Sequence, residues 1–166
     1  MDRRLTTDPI MQLVEILAAD RILVDADGGF VRDKVDAIRI LSHMLAPVVG
    51  SDHSTLEKLL AERERLQSTG IGEGVAIPHT SVDTAATQAA GLLICPLGVP
   101  FDAIDGEKVT IIFGVVGPRK ATGEHLRILA RISRLLRDQS VRHRLVGSAT
   151  GEEAYSLIEA QDSTLR

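Results

Sequence analysis

The chain has 166 residues, of which 44 % are apolar and 25 % charged, so it can build a hydrophobic core and is not disordered. It contains three Phe, one Tyr and no Trp, which argues against a sugar-stacking pocket or a nucleic-acid-binding face, since both use aromatic platforms. The net charge of −4 also argues against binding to a phosphate backbone.

Cysteine content and hydropathy indicate the class of protein. The single cysteine, Cys95, excludes a disulfide framework and any multi-thiolate metal site. The N-terminal segment carries Arg, Thr, Asp and Glu where a signal peptide has its apolar region. No apolar run approaches the roughly 20 residues of a transmembrane helix. We therefore expect a soluble, cytoplasmic protein with no membrane insertion and no nucleic-acid partner.

Capping residues and apolar spacing predict four elements in the first part of the chain. They are a helix over residues 9–18 with Asp8 as N-cap, a strand over 22–24, a helix from Asp33 that ends at Pro47 and Gly50, and a helix from Ser51 or Ser54 to residue 67.

The second part of the chain alternates apolar strands with amphipathic helices. The predicted strands cover residues 75–77, 91–97 and 109–116, and Pro96 marks a strand terminus or an edge. The predicted helices cover 122–137 with Thr122 as N-cap, 140–146, and 150–161 with a Thr150/Glu153 capping box. Helices that flank a small sheet make this an α/β fold, which we expect to be a single domain over residues 1–166.

A glycine-rich segment before His79 is the strongest functional signal. Gly70, Gly72 and Gly74 allow close backbone approach, but no Walker or dinucleotide pattern follows them. Pro78 restricts the direction in which His79 leaves the strand. A neutral imidazole is a nucleophile near pH 7, so His79 is a candidate phosphoryl acceptor, although a structural role at a strand end is the commoner case.

Two further side chains interrupt apolar stripes. Arg63 continues the stripe of Leu56, Leu59 and Leu60, and its planar donors suit phosphate oxygens. His125 begins the buried stripe of the next long helix, in a first turn that attracts anions. Each residue alone has a structural alternative, a snorkelling arginine or a packed histidine, but together with His79 they favour a phosphoryl site.

These residues carry a family resemblance over residues 55–160. The run Ser68-Thr69-Gly70-Ile71-Gly72, followed by Ala76-Ile77-Pro78-His79, resembles the enzyme IIA domains of the fructose/mannitol class of the bacterial phosphoenolpyruvate phosphotransferase system. Residues 101–105 and His125-Leu126 extend the match, and the nitrogen-regulatory IIA proteins are the most similar subgroup. The resemblance implies a small mixed β-sheet flanked by helices on both faces.

The same resemblance implies a function. His79 would accept a phosphoryl group from a phosphohistidine of HPr or its nitrogen-branch homologue, with Arg63 and His125 as further active-site residues and no cofactor or metal. The phosphorylation state would regulate nitrogen, potassium or carbon metabolism, through partners such as a sensor kinase or a potassium transporter. The alternative is a sugar-specific IIA component that passes phosphate to a IIB domain for fructose/mannitol-type uptake.

The remaining polar residues receive no catalytic role. We expect His43, His53 and His143 to face solvent, together with Glu64 and the arginines Arg127, Arg131 and Arg134. Cys95 is interpreted as packing, Glu73 as a loop charge or a contact to a partner, and Asp102 and Asp105 as turn-forming residues. An apolar rim of Ile71, Val75 and Ile77 is expected to surround His79.

Overall fold

The computed structural model describes residues 12–165 and has α/β architecture. Its strands are β1 (Ile22–Val24), β2 (Gly70–Gly72), β3 (Val75–Ala76), β4 (His79–Val82), β5 (Ala89–Val99) and β6 (Val109–Pro118). Its α-helices are α1 (Lys34–Val49), α2 (His53–Leu66), α3 (Thr122–Leu136), α4 (Gln139–Val146) and α5 (Gly151–Asp162). None of these helices is long and apolar enough to cross a membrane.

The six strands form one mixed sheet in the order β1-β5-β6-β3-β2, and β4 also pairs with β6. Strands β5 and β6 are antiparallel, whereas β3 and β4 both run parallel to β6. Val75 pairs with Ile111 and His79 with Val115, so the register is the same before and after Pro78. β3 and β4 therefore pair with β6 along one continuous line, and the strand predicted to stop at Pro78 continues beyond it.

Side-chain alternation along the central strands gives the sheet two buried faces. Leu92, Phe113 and Val115 belong to the core shared with α3, α4 and α5, whereas Leu93 and Ile112 pack with α1 on the opposite face. The predicted α/β class, with a mixed sheet and helices on both faces, is confirmed.

The prediction of an N-terminal helix over residues 9–18 is wrong for residues 12–18, and residues 9–11 lie outside the described residues. A 3-10 turn spans Leu13–Glu15 instead. Backbone groups here bond to other elements: the Leu13 amide donates to Asp162 Oδ2 at 2.7 Å, and the Ile16 carbonyl accepts from Ala90 at 2.8 Å. These long-range partners replace the hydrogen bonds of an α-helix.

Several predicted helix ends shift by a few residues for identifiable reasons. α1 includes Pro47 in its last turn and ends at Gly50, whose φ of 69° suits glycine. Asp52 caps α2 through the Thr55 amide at 2.7 Å, so neither predicted serine is the cap. Thr122 is the first residue of α3 rather than its N-cap. The Thr150 N-cap of α5 is confirmed, because the Glu153 amide donates to Thr150 Oγ1 at 3.1 Å, while the Glu153 carboxylate accepts from the Ala149 amide at 2.6 Å instead of the Thr150 amide.

The strand β2 is not predicted because it is glycine-rich and packs against the loop of Ala103 and Ile104, which is distant in the sequence. A Cβ atom at Gly70 would lie 2.8 Å from Ala103, so only glycine fits between β3 and this loop. The strand β5 also extends through Pro96, with an irregular register to β6 between Ile94 and Val99.

Candidate functional site

His79 is the first residue of β4 and is half-buried on the same side of the sheet as Val75 and Ile77. Its Nδ1 lies 2.7 Å from the Ile77 carbonyl oxygen. Because a carbonyl oxygen can only accept a hydrogen bond, Nδ1 carries the proton in the neutral ring. Nε2 then holds a lone pair, which is the feature a nucleophilic imidazole requires.

His125 stands in the first turn of α3 and is 8 % exposed. Its ring centroid lies 5.7 Å from that of His79, with the two planes inclined by 52°. The side of the sheet that His79 occupies is the one on which α3 packs, which explains why the two rings meet. The predicted proximity of the two histidines therefore holds in the structure.

Both imidazoles are held in the neutral form near pH 7. Burial, together with the charge that His79 would carry, lowers the pKa of His125 to about 4. Burial is also the main cause that lowers the pKa of His79, opposed by the hydrogen bond to the Ile77 carbonyl. The positive charge of Arg63 lowers the pKa of His79 as well. A neutral ring keeps its lone pair available for attack on phosphorus.

Arg63 lies in the last turn of α2, on the other side of the glycine segment. Its Nη1 donates to the Gln67 carbonyl oxygen at 3.1 Å and stays partly exposed. The guanidinium is close enough for its charge to act on His79, and its remaining N–H groups are suited to phosphoryl oxygens. The structure thus places His79 and His125 side by side, and the charge of Arg63 acts on His79.

Gln88 and Glu124 extend the site beyond these three residues. Gln88 directly precedes β5, and its Oε1 lies 2.9 Å from His125 Nδ1. Its Nε2 donates to Glu124 Oε1 at 3.3 Å. Residues 88 and 125 are far apart in sequence, and neither the spacing nor the residue type at 88 signals this contact.

Glu64, predicted to be solvated, is 5 % exposed and organises the glycine segment. Its carboxylate accepts from the Thr69 amide at 2.9 Å and from Thr69 Oγ1 at 2.6 Å, and it pairs with Lys34 Nζ at 3.0 Å. The Thr69 carbonyl in turn accepts from the Ile77 amide at 3.0 Å. A chain of polar contacts therefore runs from Lys34 to Ile77, the residue whose carbonyl oxygen bonds to His79.

A cavity of about 600 Å³ lies beside this polar chain, between α1, α2 and the loop that follows β5. Lys34, Glu64, Ser68 and Asp102 contribute its polar groups. None of the three predicted site residues lines it, so it is separate from the phosphoryl site. No group of three or more His, Cys, Asp or Glu side chains suited to a metal ion is present within residues 12–165.

The predicted apolar rim around His79 is largely wrong. Val75 and Ile77 are buried in the core, because alternate residues of this edge strand face the helices. Ile71 is 49 % exposed, as expected. Two other exposed apolar side chains are Ile104, whose amide donates to the Gly70 carbonyl, and Leu126, which follows His125 on α3.

Arg131 contradicts the expectation of a solvated arginine face on α3, whereas Arg127 and Arg134 are exposed. Arg131 is 5 % exposed and its Nε donates to Asp162 Oδ1 at 2.6 Å. Asp162 also accepts the Leu13 amide, so the pair joins α3, α5 and the N-terminal turn.

The residues to which no role was assigned are placed mainly as expected. His43, His53 and His143 are exposed, and the first two stack with ring centroids 4.0 Å apart. Cys95 is buried, and burial raises the pKa of its thiol to about 12, which makes it unreactive. Glu73 lies in the loop between β2 and β3 with a φ of 59°. Its carboxylate pairs with Nη2 of Arg142, on α4, at 3.1 Å.

Comparison with known proteins identifies the family. The model of the family described as "Phosphoenolpyruvate-dependent sugar phosphotransferase system, EIIA 2" matches residues 15–161. The chain belongs to this EIIA 2 family.

Nitrogen regulatory proteins and fructose-specific phosphotransferase components are both among the relatives that match the chain. The chain is 34 % identical to a nitrogen regulatory protein from Pseudomonas aeruginosa over 149 residues, which cover 90 % of this chain and 96 % of that protein. It is 30 % identical to a nitrogen regulatory protein from Bradyrhizobium diazoefficiens over 154 residues, which cover 93 % of this chain and 99 % of that protein. The crystal structure of the nitrogen regulatory protein IIA-Ntr from Neisseria meningitidis superposes with a TM-score of 0.81 at 31 % identity, covering 87 % of this chain and 97 % of that one.

Membership in the EIIA 2 family makes the chain a phosphotransfer carrier, and its similarity to nitrogen regulatory proteins supports a regulatory role. The resemblance stated from the glycine segment and His79 is confirmed at the level of the family and of the fold.

Proposed function

We propose that the chain, as one IIA domain over residues 1–166, accepts a phosphoryl group on Nε2 of His79 from a phosphohistidine of HPr or its nitrogen-branch homologue. The observation that carries this proposal is the 2.7 Å contact between His79 Nδ1 and the Ile77 carbonyl. It fixes the tautomer in which Nε2 is the nucleophilic atom. The neutral state favoured by burial supports the same role.

The transfer is a single in-line displacement. The Nε2 lone pair attacks phosphorus, the new N–P bond forms, and the N–P bond of the donor breaks with its electron pair returning to the donor imidazole. Nδ1 keeps its proton and its hydrogen bond to Ile77, so His79 neither gains nor loses a proton. Such a transfer needs positioning and charge stabilisation more than covalent chemistry from the protein.

Arg63 and His125 supply that stabilisation in this proposal. The guanidinium of Arg63 already acts on His79 by its charge and can turn toward phosphoryl oxygens. His125 is neutral beside a neutral His79, but a phosphoryl group places negative charge next to its ring. Nε2 of His125 would then take up a proton from solvent and donate a hydrogen bond to a phosphoryl oxygen. No cofactor or metal takes part.

The phosphorylation state of His79 would serve regulation rather than sugar uptake. Support comes from the nitrogen regulatory proteins among the relatives, two of which are 34 % and 30 % identical to this chain and align over nearly their whole length. The proposed outputs are nitrogen, potassium or carbon metabolism, through a partner such as a sensor kinase or a potassium transporter. A cytoplasmic location belongs to the same proposal.

The test is phosphotransfer from labelled phosphoenolpyruvate through purified enzyme I and HPr-type proteins. Label should appear on the wild-type chain as an acid-labile, base-stable adduct and be absent from His79→Ala. His143→Ala, which changes an exposed histidine outside the site, is the matched control and should be labelled normally. Labelling that persists in His79→Ala would overturn the assignment of the acceptor.

A further inference from the structure

Gln88 is the polar side chain that ties His125 to the rest of the site. It is 3 % exposed and lies between two consecutive residues of α3, with its Oε1 2.9 Å from His125 Nδ1 and its Nε2 3.3 Å from Glu124 Oε1. The Glu124 carboxylate, the Gln88 amide and the His125 ring therefore form one line of hydrogen bonds. That line ends at the ring that faces His79.

The chemistry of the three groups fixes the direction of both hydrogen bonds. A carboxylate only accepts, so the amide must present its NH₂ group to Glu124. The amide oxygen then faces His125 and also only accepts. His125 Nδ1 must therefore carry the proton, and Nε2 of the neutral ring holds the lone pair.

The backbone of β6 leaves room for this arrangement at Gly117. A Cβ atom there would fall within 3.0 Å of the Gln88 amide, a separation that real Cβ contacts do not show. Glycine at 117 thus lets the amide lie flat against the strand, between the sheet and α3. The position of Gln88 is determined by packing as well as by its hydrogen bonds.

We propose that Gln88 is a positioning residue of the phosphoryl site, which holds neutral His125 in its Nδ1–H tautomer and so reserves Nε2 for the phosphoryl group on His79. The inference rests on the proposed function for its catalytic meaning, but the tautomer can be measured without any phosphotransfer. In water, the imidazole of histidine favours the opposite tautomer, with the proton on Nε2. Removal of the amide oxygen should therefore reverse the tautomer and release the ring orientation.

The experiment is ¹⁵N–¹H correlation spectroscopy of the histidine rings in labelled full-length protein near neutral pH. The His125 signals are assigned by their loss in His125→Asn. Wild type should show a protonated Nδ1 and an unprotonated Nε2. Gln88→Met keeps the shape of the side chain without its acceptor and should shift His125 toward the Nε2–H form. Glu124→Gln can still accept from the Gln88 amide through its own carbonyl oxygen, so it should retain the wild-type tautomer.

Two further variants keep the test decisive. Gly117→Ala displaces the Gln88 amide without changing its chemistry, because the added Cβ would occupy the position of the amide. It should also shift His125 toward the Nε2–H form, and it replaces Gln88→Met as the test if that variant does not fold. Gln139→Met, at the exposed start of α4, is the matched control and should leave the His125 signals unchanged. A wild-type ring protonated on Nε2, or an unchanged spectrum in folded Gln88→Met and Gly117→Ala, would overturn the proposal.

A rate measurement connects the tautomer to the phosphoryl site. Gln88→Met should be phosphorylated about tenfold more slowly than wild type, the factor expected for loss of one positioning hydrogen bond. An unchanged rate would overturn the positioning role even if the tautomer changed. If wild type showed the expected tautomer but no label on His79, the proposed function would fail while the contact of Gln88 with His125 stood.

Discussion

The imidazole rings of His79 and His125 lie 5.7 Å apart, one at the start of an edge strand and the other in the first turn of α3. Each ring has its Nδ1 fixed by an oxygen, the Ile77 carbonyl in one case and the Gln88 amide in the other. Both rings therefore keep Nε2 for other partners. This shared arrangement, with Arg63 on the far side of the glycine segment, is the basis of the predictions below.

Arg63 should be important for transfer but not for folding. Arg63→Gln removes the positive charge that acts on His79 and should slow phosphorylation by about 100-fold, as loss of one preorganised donor does in other active sites. The measurement is the single-turnover rate of labelling by phosphorylated HPr-type protein. Arg65→Gln, two residues along α2 and exposed, is the control and should react at the wild-type rate. Equal rates for the two variants would show that Arg63 is not a site residue.

The stability of the fold should fall as the solution is acidified, partly because of His125. Burial lowers the pKa of this ring from 6.5 to about 4, so between these values the unfolded chain binds a proton that the folded chain does not. The contribution of His125 is fully present above pH 6.5 and is lost as the pH falls, by up to about 1.4 kcal/mol per pH unit for one proton.

Urea unfolding at about pH 7 and about pH 5 measures this effect. His125→Asn can still donate to Gln88 but has no titrating ring, so the free energy of unfolding should change less between the two pH values. An identical change in wild type and variant would contradict the lowered pKa of His125.

Glu64 should contribute to stability through the glycine segment. Glu64→Gln weakens the contacts to Thr69 and Lys34 and should lower the free energy of unfolding by about 1–3 kcal/mol, the usual cost of disturbing a buried charged hydrogen-bond network. Glu62→Gln, an exposed change on the same helix, should stay within about 0.5 kcal/mol of wild type. Chemical denaturation measures the free energy of unfolding of both variants. An equal decrease in Glu64→Gln and Glu62→Gln would contradict the structural role of Glu64.

Leu126 should affect docking of the phosphoryl donor. It is 59 % exposed and follows His125, so Leu126→Glu should raise the donor concentration needed for half-maximal rate by about tenfold, with little change in the maximal rate. Leu97→Glu changes an equally exposed leucine in β5 and serves as the control. A similar effect of both substitutions would remove Leu126 from the docking surface.

Local sequence signals predicted much of this molecule because they reflect local physics. The apolar runs of β5 and β6, the N-cap at Thr150 and the two inward-facing histidines depend on periodicity and on neighbouring residues. The fold class follows from the alternation of such elements.

The features that escaped prediction depend on partners distant in the sequence. Arg131 is buried because it pairs with Asp162, and Gln88 belongs to the site because the first turn of α3 brings Glu124 and His125 to it. Likewise, residues 12–18 lack an α-helix because their backbone bonds to Ala90 and Asp162. Periodicity and capping residues do not encode such pairings.

The central claim is that Nε2 of His79 carries the phosphoryl group, and NMR of the phosphorylated chain tests it directly. In protein labelled with ¹⁵N in its histidine rings, coupling between ³¹P and ¹⁵N identifies the nitrogen bonded to phosphorus. The account predicts coupling to Nε2 of His79, with Nδ1 still protonated and donating to the Ile77 carbonyl. Coupling to Nδ1 of His79, or to a ring nitrogen of any other histidine, would contradict it.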